Sequence, residues 1–265
     1  MYSLYLTCEA GQADHLSAEL WEAGTEGIRE LDYGDSVRLI AGFATNENRA
    51  ALLAQFAAYA PEWEHEDDID WVEETKAAWP PREVGARFFL APPWSIDPTP
   101  PGRERIIHNP GLACGTGEHP CTQLALMALE QCLSPGSTVA DIGTGSGILS
   151  IGALRLGAET AIGIDIDTAA LQAARENFEL NRLPANLVAG SADCLATECA
   201  DVVVANINAT VLLSMLDELL RITCTGGWLI LTGFTEAEVE AIALTLTDPQ
   251  VLALNEWRCV VAKIF

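Results

Sequence analysis

Three glycines at alternate positions, Gly143, Gly145 and Gly147, follow the short apolar run Val139–Ile142. They lead into Ile148–Leu156, where apolar residues recur at helical spacing. A strand, a glycine turn and a helix amino terminus make a place where backbone can approach a nucleotide-like ligand closely. The spacing is G-x-G-x-G, not the G-x-G-x-x-G of a dinucleotide fingerprint. Asp165 ends the next predicted strand, 22 residues after Gly143. A carboxylate there is placed to accept hydrogen bonds from ribose hydroxyls. Its plainer role would be to cap the following helix, but Thr168 suits that task and Asp167 is available too.

Two more polar residues fall at predicted strand ends. Asn206 closes the buried run Asp201–Ala205, and a polar group emerging there needs a partner. Its amide carbonyl can orient an incoming amine or bond to the ligand itself; a structural strand-end turn is the alternative. Asp193 could meet an adenine amino group or simply form a turn. The loop Asn109-Pro-Gly-Leu-Ala-Cys-Gly-Thr-Gly-Glu-His-Pro-Cys-Thr122, rich in glycine, proline and hydroxyls, could fold over a bound ligand. Thr122 sits at the start of a predicted helix, Gln123–Cys132, so N-capping is its ordinary reading. His119 is a weak base candidate with no visible partner. There is no G-x-S-x-G elbow, and the eight cysteines show no C-x-x-C spacing, so neither a hydrolase nor a metal site is expected.

These residues need elements to hold them. From Val139 onward strand and helix alternate. Strands are predicted at Val139–Ile142, Ala161–Asp165, Asn186–Ala189, Asp201–Asn206, Trp228–Thr232 and Trp257–Ile264, with helices notably at Thr168–Leu180 and Thr210–Ile222. That order implies a parallel sheet covered on both faces, with ligands at the carboxyl ends of its strands. Residues 1–60 read separately as β-α-β-β-α, with a hairpin turned at Asp32-Tyr-Gly-Asp35. This is a small α+β unit suited to docking rather than to a deep site. Residues 61–80 carry eight acids and one base, interrupted by Trp63, Trp71 and Trp79, and read as an acidic tether with aromatic anchors. Residues 80–101 hold seven of the thirteen prolines around a predicted strand at Arg87–Ala91, an extended wrap over the following domain.

In bulk, 265 residues with 49% hydrophobic content suffice for one large and one small domain. A net charge of −24 opposes binding to nucleic acid or anionic membrane and admits a basic protein partner. No apolar run approaches a membrane span and no signal peptide is visible, so a cytoplasmic protein with reduced thiols is expected.

Taken together, Asp141-Ile-Gly-Thr-Gly-Ser-Gly147, Gly163-Ile-Asp-Ile-Asp167 and the strand ending at Asn206 resemble class I S-adenosylmethionine-dependent methyltransferases. The Asn109–Thr122 loop is similar to that of the ribosomal protein L11 methyltransferase family, typically D-P-G-x-A-F-G-T-G-x-H-x-T-T. Asp70-Trp-Val-Glu-Glu74, Val84-Gly85 with Phe88–Trp94, and Asn255–Lys263 match further family segments. The sequence departs from the pattern at Asn109, where Asp is usual, at Cys121, where Thr is usual, and in Asn206-Ile-Asn-Ala-Thr-Val-Leu212. The resemblance implies a Rossmann-like, seven-stranded α/β methyltransferase domain at residues 81–265. It also implies a linker at 61–80 and a ferredoxin-like α+β substrate-recognition domain at 1–60.

The implied cofactor is S-adenosyl-L-methionine, with family contacts falling on Thr122, Gly143, Asp165 and Asn206. Gly145, Gly147 and Asp193 complete the expected set. The implied reaction is methylation of amino groups, on lysine side chains or the amino terminus, of ribosomal protein L11. A related lysine methyltransferase acting on another protein is the alternative. Such transfer needs a neutral amine held in line, with Asn206 as the aligning residue and the Gly115–Thr122 loop closing over it. A monomer is expected. A binding protein that merely keeps the fold, and an NAD-linked oxidoreductase, fit the glycine loop and Asn206 less well.

Overall fold

The computed structural model describes residues 2–32, 36–65, 79–109 and 117–265, and divides into two units, Met1–Ala78 and Trp79–Phe265. The tip of the Asp32–Asp35 turn, the acidic stretch with Trp71, and residues 110–116 of the glycine-rich loop lie outside the described residues.

The first unit runs β1 (Tyr2–Glu9), α1 (Ala13–Glu22), β2 (Gly27–Asp32), β3 (Ser36–Phe43), α2 (Arg49–Gln55) and β4 (Glu62–His65). Its strands form an antiparallel sheet in the order β2-β3-β1-β4. Alternation along β1 and β3 turns Leu4, Leu6, Val37 and Leu39 to one face. There they pack with Leu16 and Leu20 of α1 and with Leu52 and Phe56. Composition alone places the end of this unit at residue 60; β4 carries it further, pairing with β1 as a fourth strand. Trp63 lies opposite Leu4 and stacks on Tyr2 and Phe43, with ring centroids 6.2 and 5.5 Å away. The first tryptophan among the acids is therefore a sheet residue.

The second unit opens with a three-stranded sheet, β5 (Arg82–Val84), β6 (Phe88–Ala91) and β7 (Glu104–Ile107), in sequence order. The proline-rich segment loops between β6 and β7. Helix α3 (Pro120–Cys132) follows. Then come β8 (Thr138–Ile142), α4 (Ile148–Arg155), β9 (Thr160–Asp165), α5 (Thr168–Asn181), β10 (Asn186–Ala189), β11 (Ala200–Asn206), α6 (Ala209–Ile222), β12 (Thr223–Thr235), α7 (Glu236–Ala243), β13 (Gln250–Leu254) and β14 (Trp257–Lys263). The large sheet is ordered β10-β9-β8-β11-β12-β14-β13. Its first five strands are parallel, and β14 is antiparallel to both neighbours.

Residues 202–205 of β11 are buried on both faces, as the apolar run predicts for a central parallel strand. Val202 and Val204 join the core made with α3, α4 and Phe178 of α5; Val203 and Ala205 join the core made with α6 and α7. Three layers result.

The seventh strand, β13, was not among the strands expected individually. It is a half-exposed edge strand just after Pro249, where neither periodicity nor burial marks it. Helix starts also differ from expectation. Asp167, not Thr168, caps α5, its carboxylate accepting from the Ala169 N–H at 2.8 Å. Asn208 caps α6, 3.0 Å from the Val211 N–H. On β14, the Lys263 ammonium rests 5.6 Å from the Trp228 ring centroid. No described helix is long and apolar enough to cross a membrane.

His108, just past β7, is 5% exposed, and neither ring nitrogen has a partner among the described residues. Burial pushes its pKa down to about 4, so the folded ring stays neutral at pH values where the unfolded one is protonated. The unfolded chain binds the extra proton between about pH 6.5 and 4, so this group costs stability as pH falls through that window, up to about 3 kcal/mol. His108→Leu should remove that slope. The check is the difference between wild-type and variant urea-unfolding free energies across pH 4–7, because Asp141, described below, titrates with the opposite sign.

Candidate functional site

Strand order reverses at β8, with β9 and β10 to one side and β11 to the other, so the carboxyl ends of these strands frame a crevice. The glycine turn fills the end of β8. Its three glycines all have left-handed backbone, with φ of 70°, 53° and 80°. The N–H groups of Gly143 and Thr144 both donate to the Ile164 carbonyl, at 2.8 and 2.9 Å, bending the chain toward β9. A side chain at Gly143 would place its Cβ 2.5 Å from Ile207 Cγ2, so the turn packs directly against the residue after Asn206. Asp165 spans the mouth of the turn. One carboxylate oxygen accepts from the Gly145 N–H at 2.9 Å and the other from the Asp167 N–H at 3.0 Å. A carboxylate accepts about four hydrogen bonds, so sites remain for ligand hydroxyls.

Asn206 and Thr122 meet across the crevice: the Asn206 amide Nδ2 donates to Thr122 Oγ1 at 3.2 Å. Thr122 is therefore not the helix cap. Helix α3 begins two residues earlier, at Pro120, capped by His119 Nδ1, which accepts from the Cys121 N–H at 3.3 Å. Pro at the first helical position fits that start, since its missing N–H would have been unpaired anyway. The His119 ring also lies edge-on to Trp257, centroids 4.5 Å apart, so both of its roles are structural. Thr122, 1% exposed one turn in, keeps its hydroxyl toward Asn206. The amide oxygen of Asn206 has no partner among the described residues.

The end of β11 is held from beneath by β12. The Ile207 N–H donates to the Thr232 carbonyl at 3.1 Å. At Gly233, φ +106°, the pairing of β12 with β14 shifts register. A Cβ on Gly233 would overlap the Ile207 carbonyl and lie 2.6 Å from its carbon and 3.0 Å from its nitrogen. Only glycine lets the two backbones approach that closely. Cys121 packs on the same bulge. Burial raises its thiol pKa, opposed by hydrogen bonding to Thr232, Gly233 and Phe234.

The cleft so formed is acidic. Asp165, Asp167 and Glu176 line it together with Gly143, Gly145 and Asn206, and no lysine or arginine lies in its wall among the described residues. Beneath the turn, fully buried Asp141 accepts from Thr144 Oγ1 at 2.7 Å and from the N–H and hydroxyl of Ser150 at 3.1 and 2.8 Å. Its other oxygen has no partner among the described residues. Burial, with the Asp165 charge nearby, raises its pKa to about 6 against the lowering hydrogen bonds. A pyrophosphate would face carboxylates here; a cationic ligand would be welcomed. Asp193 is exposed on a short turn after β10, where Gly190 and Ser191 line the cleft.

Residues 6–264 match the family model described as ribosomal protein L11 methyltransferase (PrmA). The chain belongs to the ribosomal protein L11 methyltransferase family. A family member from Hahella chejuensis is 34% identical over 257 residues, covering 90% of this chain and 88% of that one. One from Streptococcus pyogenes serotype M12 is 33% identical over 242 residues, 87% and 76% of the two chains. The crystal structure of the ribosomal protein L11 methylase from Lactobacillus delbrueckii subsp. bulgaricus superposes with a TM-score of 0.61 at 30% identity. It covers 69% of this chain and 97% of that one.

Family membership and the mixed α/β sheet agree with the fold expected from the residues. Three features of the site escaped the sequence reading. Asp141 stood inside the quoted motif but looked like a strand residue. Gly233 follows an ordinary apolar strand, and nothing local marks its backbone as left-handed. Asn177 lies in a helix whose polar residues mostly face solvent.

Proposed function

We propose that the protein transfers methyl groups from S-adenosyl-L-methionine to amino groups of ribosomal protein L11. The observation that carries this reading is the joining of Asn206 to Thr122 beside the glycine turn, in a cleft whose charged lining among the described residues is carboxylate. When bound, the cofactor supplies an electrophilic methyl group on a positively charged sulfur. The cleft fits such a group: beneath the turn the buried Asp141 carboxylate has an oxygen with no partner among the described residues, and Asp165 offers acceptors at its mouth. Gly143, Gly145 and Gly147 would admit the amino-acid end of the cofactor, Asp165 its ribose, and Thr122 with Asn206 the side facing the acceptor amine. Asp193, on the turn after β10, would meet the adenine amino group.

The chain's own residues then have three tasks. They must strip water from an amine, keep it neutral and hold its lone pair in line. A lysine is protonated in water, and burial disfavours its charge. The Asn206 oxygen, without a partner among the described residues, is an acceptor for an amine N–H that adds no charge, so it aligns the nucleophile without holding it as ammonium. No dedicated base is required; the proton leaves to solvent.

Substrate recognition is assigned to the first unit, which β4 extends to residue 65, with the acidic stretch after it as the connection and Trp79–Phe265 as the catalytic part. Residues 1–60 hold nine acids and three bases, complementary to a basic protein and repulsive to bare RNA. A monomer in the cytoplasm is the reading in keeping with this charge.

The test is mass spectrometry of a ribosomal protein pool incubated with enzyme and isotope-labelled cofactor. Label on L11 alone supports the reading, label on another protein replaces the substrate, and no label overturns it. A further expectation follows from charge. Between 50 mM and 500 mM salt, kcat/KM for free L11 should fall about tenfold through screening, while kcat stays level. Rates independent of salt would leave the acidity a matter of solubility.

A further inference from the structure

Helix α5 carries two asparagines one turn apart, Asn177 and Asn181, at 2% and 4% exposure. Asparagine is a poor helix-interior residue, and a buried amide costs free energy unless its groups are paired. Both are paired, but with different parts of the molecule. Asn181 clamps β7: its oxygen accepts from the Ile107 N–H at 2.9 Å, and its Nδ2 donates to the Ile107 and Asn177 carbonyls at 2.6 and 2.8 Å. Asn177 reaches elsewhere. Its Nδ2 donates 2.9 Å to the Ser146 carbonyl in the glycine turn, and its oxygen accepts at 3.1 Å from the Asn109 N–H, where the glycine-rich segment leaves β7. Asn109, Gly145 and Asn177 all line the same cleft.

A single carboxamide therefore joins the turn under the ligand to the start of the segment that ends at Thr122. The two halves of that amide are not interchangeable, since one wall supplies only an acceptor and the other only a donor. The approach is close as well: a Cβ on Gly147 would lie 3.1 and 3.2 Å from Phe178 and Ala174 of the same helix.

We propose that Asn177 is a positioning residue that couples the cofactor side of the cleft to the protein-substrate side. Ligand seated on the glycine turn fixes the Ser146 carbonyl, this fixes the Asn177 amide, and the amide fixes the backbone at Asn109. Coupling of this kind is reciprocal: cofactor tightens substrate binding by the same factor as substrate tightens cofactor binding. The inference rests on the methyltransferase reading above.

The experiment is calorimetry on the full chain with S-adenosylhomocysteine, which fills the site without turnover, and L11, each titrated alone and in the presence of the other. Wild type should show mutual tightening of about fivefold or more. Asn177→Ala should bind each ligand singly with the mutual factor reduced to about one. Asn177→Asp keeps the acceptor for Asn109 but not the donor for Ser146, and it should behave like Asn177→Ala. Asn181→Ala should lower the melting temperature and leave the factor intact, which separates coupling from mere packing. Wild type binding both ligands without mutual effect, or Asn177→Ala retaining the effect, overturns the coupling alone. Wild type binding no S-adenosylhomocysteine overturns the methyltransferase reading, and the coupling with it.

Discussion

Replacing Asn206 with alanine is expected to lower kcat for methylation of L11 by about a hundredfold, with the melting temperature within a few degrees of wild type. The side chain sits at the carboxyl end of β11, where its one observed partner is Thr122. Its removal empties no core, since the residues that stabilise the strand are Val202–Ala205. The loss is one of alignment: without the amide oxygen the amine has no charge-free acceptor to fix its lone pair.

Asn206→Asp sharpens the test. A carboxylate at that position also accepts an N–H, but its charge favours the ammonium form of the amine. The variant should be slow at pH 7 and recover as pH rises, shifting the pH–rate profile to the alkaline side. Initial rates of labelled methyl transfer across pH 6–10 would show this. Turnover close to wild type in purified Asn206→Ala would remove the residue from the mechanism.

The second large effect is expected at a residue that touches no ligand. Gly233→Ala should cost about 2–4 kcal/mol and lower the melting temperature by about 5–10 °C. Two causes add. The backbone there has φ +106°, and the new methyl would drive into the Ile207 peptide rather than into a side chain that could turn away. Assayed well below its own melting point, the variant should still methylate far more slowly, because relief of the overlap shifts Ile207 and Asn206 together. Calorimetric melting paired with low-temperature kinetics separates the two effects. A folded variant with normal kcat would show that the β12 bulge does not set the position of Asn206.

Much of this was legible in the chain because the physics is local. The Gly143–Gly147 turn, the carboxylate of Asp165 on the next strand end and the apolar run into Asn206 each announce themselves within a few residues. Helix caps were less legible. Thr168 and Asp167 are both good caps, and only the backbone direction after β9 selects Asp167. Thr122 resembled a cap because the sequence does not reveal that Pro120 already belongs to the helix. Long-range features could not be read at all. The meeting of Thr122 with Asn206, the overlap that forbids a side chain at Gly233 and the double grip of Asn177 depend on segments brought together only by folding. Asp193 is legible only as an acid at the right point in the order of strands, because the short turn after β10 that carries it has no periodicity to read. At the start of the acidic connection charge density hides a strand: Glu62–His65 alternates as a strand should, but its two glutamates have the composition of a tether.

The lysine resting on Trp228 has a consequence for a catalyst of amine methylation. Two of the fourteen basic residues are lysines, and Lys263 is the one within the described residues. The others are arginines, whose guanidinium keeps its proton throughout the working pH range and offers no lone pair for attack. An acidic protein built this way can form ion pairs over its surface while presenting almost no side-chain amine of its own. With the Lys263 ammonium over an aromatic face, the enzyme competes poorly as its own substrate, and autolabelling should stay low even where enzyme greatly outnumbers L11.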